Sequence, residues 1–264
     1  MTDKYTKKLH GFTLVELSIV IIIIGFLIAG IASGQSLIKQ AKLNSIINDF
    51  SKFSTAAHGF QARYDGVAGD FANAYAFWGA TANCTDSYVL DSPYDGCNGN
   101  GDGNVGPGAG SPIGYMEGDL FWKHLNLAGL LTGNYSGTHN LTTGERVIGT
   151  DVPANAFQNS GYYATYDTYF NIVPLQDQII LGSHVDNNVP YGAALIPADA
   201  KTIDLKLDDG FPVTGKLLAG TSGANATGHC VNGSGGEDLS GATDYVLDNN
   251  QIACRLVYLF TTPN

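Results

Sequence analysis

Residues 12–64 read FTLVELSIVIIIIGFLIAGIASGQSLIKQAKLNSIINDFSKFSTAAHGFQARY, and the reading of this stretch decides the fold. Its first half suits an apolar solvent: from Leu17 to Ala32 there is no charged residue, and one carboxylate, Glu16, stands at the edge of the run. Its second half suits a boundary between core and water. Leu43, Ile46, Phe50, Phe53, Ala57, Phe60 and Tyr64 follow at steps of 3, 4, 3, 4, 3 and 4, which is one face of a helix. No proline interrupts the stretch, and Asp65-Gly66 closes it, with Gly66 placed to supply a left-handed cap. The spacing predicts a single helix over 12–64, about 80 Å long at 1.5 Å per residue, with 12–34 as its membrane-spanning part.

Upstream lie Lys4, Lys7, Lys8 and His10, and a basic stretch before an apolar run is an export signal. An ordinary secretory signal would be cut near Ala32–Gly34, where small residues cluster. The helical pattern runs straight past that point, which argues for a retained segment.

The 264 residues leave room for one large domain or two small ones. The formal net charge is −11, from 13 basic and 24 acidic residues. Without a basic patch in the body, no nucleic-acid partner is expected. Glycine is abundant, at 34 residues, so much of the chain is read as loop and turn. The cysteines fall as Cys84 with Cys97 and Cys230 with Cys254. No CxxC or Cys/His cluster points to zinc, and outside the cytoplasm two disulfides are expected, although four cysteines permit three connectivities.

Lys7-Lys8-Leu9-His10-Gly11 followed by FTLVELSIV resembles the N-terminus of type IV pilins and pseudopilins. The resemblance covers about the first 55 residues. It implies a leader over 1–11, cleavage by a prepilin peptidase between Gly11 and Phe12, N-methylation of Phe12, and Glu16 as the assembly acid. It also implies insertion in inner-membrane lipid as a single pass and packing against other pilin or pseudopilin subunits. The body then lies in the periplasm, in a secretion pseudopilus or in an extracellular filament. A physical account of Glu16 follows. An acid in lipid needs a partner, and cleavage creates a cation, the Phe12 amine. When helices pack side by side with an axial stagger, Glu16 of one subunit meets the Phe12 amine of its neighbour. Removing residues 1–11 takes away three lysines and one aspartate, so the mature chain has a net charge of −13.

Residues 65–264 are expected to form an α+β globular domain: an antiparallel sheet packed on the long helix, with Gly/Asn-rich loops. Residues 67–116 read as an irregular segment. In 117–133, Leu120, Phe121, Leu125, Ala128 and Leu131 fit a short amphipathic helix ended by Gly133, with His124 on it as a structural or exposed residue rather than a ligand. Strands are expected at 146–149, 162–173 and 178–183, within AALIP and FPVTGKLLA, and at the C-terminal QIACRLVYLF. A further helix is expected within 198–210, where Ala200, Ile203 and Leu207 share a face. The pieces GD (69–70), NGDGN (100–104), FWKHLNLAGLLTG (121–133) and IDLKLDDG (203–210) resemble a Gram-negative subgroup of prepilin-like proteins, with Ala68 where proline is expected.

The best metal candidate is the loop Asn98–Asn104. Asn98, Asn100, Asp102 and Asn104 offer oxygens on alternate residues, as in calcium loops, but the acid 11 positions after Asn98 is missing, replaced by Ala109. Asp95 or an acid from elsewhere could complete a calcium shell. No GxSxG, HExxH or P-loop occurs, and Asp208-Asp209 before Gly210 reads as a turn, so no enzyme is expected. The function read from the sequence is a filament subunit assembling through its N-terminal helix. A membrane-tethered periplasmic binding domain that never polymerises is the alternative.

Overall fold

A computed structural model of the chain describes residues 12–82, 85–88, 96–106, 116–139, 144–157, 159–167, 175–185, 190–222, 228–233, 239 and 241–260. The expected leader with Gly11 and the cysteine Cys84 lie outside the described residues. Helix α1 runs Leu14–Tyr64 without a break. Its C-terminus falls where the sequence places it, but the left-handed residue is Asp65, at φ 51°, and not Gly66. Asp65 is one of the few residue types that tolerate this region, and its N–H closes the last turn on the Gln61 carbonyl at 2.9 Å.

The chain divides into two compact units, residues 1–42 and 43–264. In the first, the described part is helix alone. Its large apolar side chains, from Phe12 through Ile38, are all exposed. This helix is long and apolar enough to cross a membrane.

The second unit carries the core. After the end of α1 come α2 (Ala74–Ala82), β1 (Thr85–Tyr88), β2 (Gly96–Asn98), α3 (Met116–Leu127), β3 (Ser160–Asp167), β4 (Gln176–Ser183), α4 (Pro197–Leu207), β5 (Leu217–Thr221) and β6 (Cys254–Leu259). The main sheet has the order β3-β4-β6-β5 and is antiparallel throughout, so the α+β class stands. Paired residues in an antiparallel ladder share a face. One face therefore presents Tyr162 opposite Leu181, and Ile179 opposite Tyr258. Phe50 of α1 fits between the two tyrosines, stacked on Tyr258 at 5.2 Å and edge-on to Tyr162 at 5.5 Å. Phe53 meets Tyr162 and Trp122 of α3, each at 4.9 Å. Asp49 accepts a hydrogen bond from the Tyr162 hydroxyl at 2.8 Å. Near the end of α1, Phe60, Tyr64, Phe71, Phe77 and Trp78 form one aromatic cluster.

Some boundaries move. The residues 146–149 do not make a strand; only an isolated bridge, Ile148 to Val152, forms there. The strand expected over 162–173 starts earlier, at Ser160, and its part beyond Asp167 lies outside the described residues. AALIP contributes a single bridge, Leu195 to Cys254. Helix α3 stops at Leu127, short of Gly133, because the chain turns through Gly129 at φ +71°. Ala128 and Leu131 remain buried beyond it. Cys230 and Cys254 form a disulfide that ties the last strand to the preceding loop. Cys97 is also disulfide-bonded, and its expected partner, Cys84, is not among the described residues.

Candidate functional site

Two places hold the residues singled out from the sequence. The first is the start of α1. Thr13 sits just outside the helix and Glu16 is its third residue. The Glu16 carboxylate accepts from the Thr13 N–H and the Thr13 hydroxyl, each at 2.8 Å, and the Thr13 oxygen accepts from the Glu16 N–H at 3.2 Å. This is a reciprocal capping box. It places the acid at the end of the helix where backbone N–H groups are otherwise unpaired and the helix dipole favours negative charge. Thr13 was not singled out by the sequence reading, although the pattern Thr-x-x-Glu at residues 13–16 is a sequence signature of this cap. Phe12, next to it, is 90 % exposed.

The second place is the loop after β2. The described structure brings GD (69–70), NGDGN (100–104) and the start of α3 into contact. Asp70 Oδ1 accepts from the N–H groups of Gly101 and Asp102 at 2.5 and 3.1 Å, and Oδ2 from Gly103 at 2.7 Å. Glu117, in the first turn of α3, accepts from Asn100 at 2.8 Å and from Gly106 at 3.2 Å. Asp177 of β4 accepts from Val105 at 2.7 Å. The remaining amide, Asn104, goes to Asp102 Oδ1 at 3.0 Å. Seven consecutive amides, 100 to 106, thus end on carboxylates. The path needs glycine at two contacts. Gly99 lies so close to Asp70 that a Cβ would come within 2.3 Å of its backbone, and Gly69, at φ +92°, would put one 2.4 Å from the Glu117 carbonyl.

The four expected calcium ligands are present on this loop with their side chains turned to neighbours. Asn98 Oδ1 accepts from the Tyr75 N–H at 2.9 Å, at the start of α2. Asn100 Oδ1 accepts from the Asp102 N–H at 2.7 Å, and its amide donates to Asp102 Oδ2 at 2.9 Å. Asn104 donates to Asp102 Oδ1 at 3.2 Å. Asp95, named from the sequence as a completing acid, lies outside the described residues, and the carboxylates that stand beside the loop, Asp70, Glu117 and Asp177, accept the loop's backbone N–H groups.

His124 is structural. It is buried, its Nδ1 accepts from the Gly69 N–H at 2.9 Å, and its Nε2 lies 2.9 Å from the Cys97 carbonyl. Nε2 therefore carries the proton, and burial lowers the pKa to about 4, so the ring is neutral. Asp208 and Asp209 do serve a turn: Asp208 accepts from the Lys216 and Leu217 amides, and Asp209 from the Phe211 amide and the Thr214 hydroxyl. Asp204 joins them within reach of a shared metal ion, but its carboxylate accepts from the Tyr245 hydroxyl at 2.7 Å.

Residues 6–32 match the prokaryotic N-terminal methylation motif. No curated protein and no solved structure matches the chain. The motif, together with the exposed apolar helix that continues from it, fits a prepilin-type pilin or pseudopilin.

Proposed function

We propose that this chain is a structural subunit of a type IV pilus-like filament or secretion pseudopilus, anchored in the inner membrane by α1 and then assembled through it. The observation that carries the reading is the methylation motif running into a helix whose large apolar side chains from Phe12 through Ile38 are all exposed. Such a surface requires lipid or other helices as its solvent. In this reading a prepilin peptidase cuts between Gly11 and Phe12, Phe12 is methylated, and Glu16 accepts the Phe12 amine of the neighbouring subunit. The capping box holds the acid at the helix tip, where the neighbour's amine replaces the Thr13 donors. The chain's role is structural, and no catalytic step is assigned to it. Filaments sheared from the native host test the proposal: the mature chain is expected in the filament fraction. A chain found only in membranes would favour the tethered binding domain.

Calcium on the Asn98–Asn104 loop is part of the same proposal. The loop lacks large apolar anchors of its own, and flexible oxygen donors among glycines favour calcium over magnesium. The full chain in detergent micelles is expected to gain melting temperature with millimolar calcium, more than with magnesium. Asp102→Ala is expected to abolish the gain. Equal responses to both ions, or none, would reduce the loop to a turn held by carboxylates.

A further inference from the structure

The charges of this chain are unevenly placed. Residues 65–264 carry 21 acidic and six basic residues, whereas 39–64 carry Lys39, Lys42, Lys52 and Arg63 against the single acid Asp49. In the body, Arg146 pairs with Asp119 and Lys201 with Asp244. The water-facing side of α1 is different. Opposite Leu43, Ile46, Phe50 and Phe60, the residues Asn44, Asn48, Ser51, Thr55, His58 and Ala62 are exposed, and their spacing by three and four puts them on one side of the helix. Three cations border that side. Lys206 of α4 donates to Asn44 Oδ1 at 2.9 Å, Lys52 to the Thr132 hydroxyl at 3.3 Å, and Arg63 to the Ala128 carbonyl at 3.3 Å. Among the described residues none of these three makes an ion pair with a carboxylate. Asp49 is turned to the Tyr162 hydroxyl. From Asn44 to Arg63, at 1.5 Å per residue, this makes a basic band about 30 Å long.

We propose that this band is a subunit interface, seated in the filament against the acidic body of a neighbouring copy of this chain. The inference rests on the filament reading above and names which surfaces meet. A mature chain of net charge −13 repels its own copies, and the repulsion grows as their bodies are packed together. Placing the basic band of one copy against the acidic body of the next exchanges like-charge neighbours for opposite ones. The exposed carboxylates of the body, Asp209 and Asp248 among them, supply the other half of the contact. The exposed apolar run on the same helix already calls for neighbouring helices, so a band on α1 meets other copies, and of their surfaces the body is the acidic one. Opposite charges there fix which face meets which, and add less to the strength of the contact than to its register.

Filaments sheared from the native host and treated with a water-soluble carbodiimide, which joins amines to carboxylates in direct contact, test this. Lys52 and Lys206 are expected to link to aspartates or glutamates of 65–264 in dimers and larger species. The same links are expected to be absent from the monomeric chain in detergent micelles. Lys52→Glu with Lys206→Glu is expected to lower incorporation into filaments roughly tenfold or more, since like charges set across an interface oppose association. Lys52→Arg with Lys206→Arg, which keeps the charge, is expected to hold incorporation at the unsubstituted level. Both side chains are exposed, so the melting temperature of the body is expected to be the same in all three chains. Filaments that contain the chain but give no such links, or that take up the charge-reversed chain at the unsubstituted level, overturn the proposal and leave the filament reading standing. If those charge-reversed filaments also lose retention on heparin, the band faces outward to an acidic polymer. A chain absent from sheared filaments overturns both.

Discussion

Glu16→Leu is expected to remove the chain from filaments while leaving its body folded. The substitution takes away the acid that completes the capping box with Thr13 at the tip of α1. It also removes a charge that lipid disfavours, so insertion improves. The body's stability rests on contacts from Leu43 onward, and its melting temperature should not move. The filament loses the partner of each neighbouring Phe12 amine. A cation left unpaired in an apolar core costs roughly 3 kcal/mol, which corresponds to a drop in incorporation on the order of 100-fold. Glu16→Gln separates the two roles, because glutamine still serves a capping box but cannot pair with an amine. Equal losses for both variants assign the effect to charge. Wild-type incorporation of Glu16→Leu, measured in sheared filaments, would end the pairing account.

Phe50→Ala is expected to have the opposite profile: intact processing and insertion, with a badly weakened body. Phe50 is fully buried and is the contact by which α1 meets two tyrosines on one face of the sheet, Tyr162 and Tyr258. Removing a buried phenylalanine costs about 3–5 kcal/mol, the lost transfer energy plus a cavity that neighbours fill only in part. Against a typical domain stability of about 5–15 kcal/mol, that is a large fraction. Ile21→Ala, at a position 61 % exposed in the single chain, makes a suitable control and should leave urea unfolding unchanged. A loss below about 1 kcal/mol for Phe50→Ala would mean that α1 is not the organiser of this core.

These two residues show what the sequence made readable. A helix that buries one face repeats its apolar side chains every three or four positions, so Leu43, Ile46, Phe50, Phe53, Ala57 and Phe60 announced themselves, and all are buried. Cys254, Leu256 and Tyr258 announced the last strand in the same way, by alternation, and the strand pairs on both edges. Helix α2 and the strands β1 and β2 are too short to produce a period, and 67–116 read as irregular throughout. The loop after β2 was half legible. Its glycines and asparagines mark a loop, but Asp70, Glu117 and Asp177 are single acids separated by tens of residues, with nothing in spacing to join them. Only the pairing of β4 and the start of α3 place them around one loop. The helix end shows a finer miss. Gly66 is the usual left-handed residue, but the last turn closed one position earlier, on Asp65, where an aspartate tolerates the conformation.

The central claim is that the chain is processed and assembled as a prepilin-type subunit, and mass spectrometry of the mature protein from its native host tests it most directly. The account predicts a chain that begins at Phe12, carries one added methyl group on that residue's amine, and retains the whole of α1. A mature N-terminus near Ser33–Gln35 would contradict it. That result would make the apolar run an ordinary secretory signal and would leave Glu16 with no part in the finished protein.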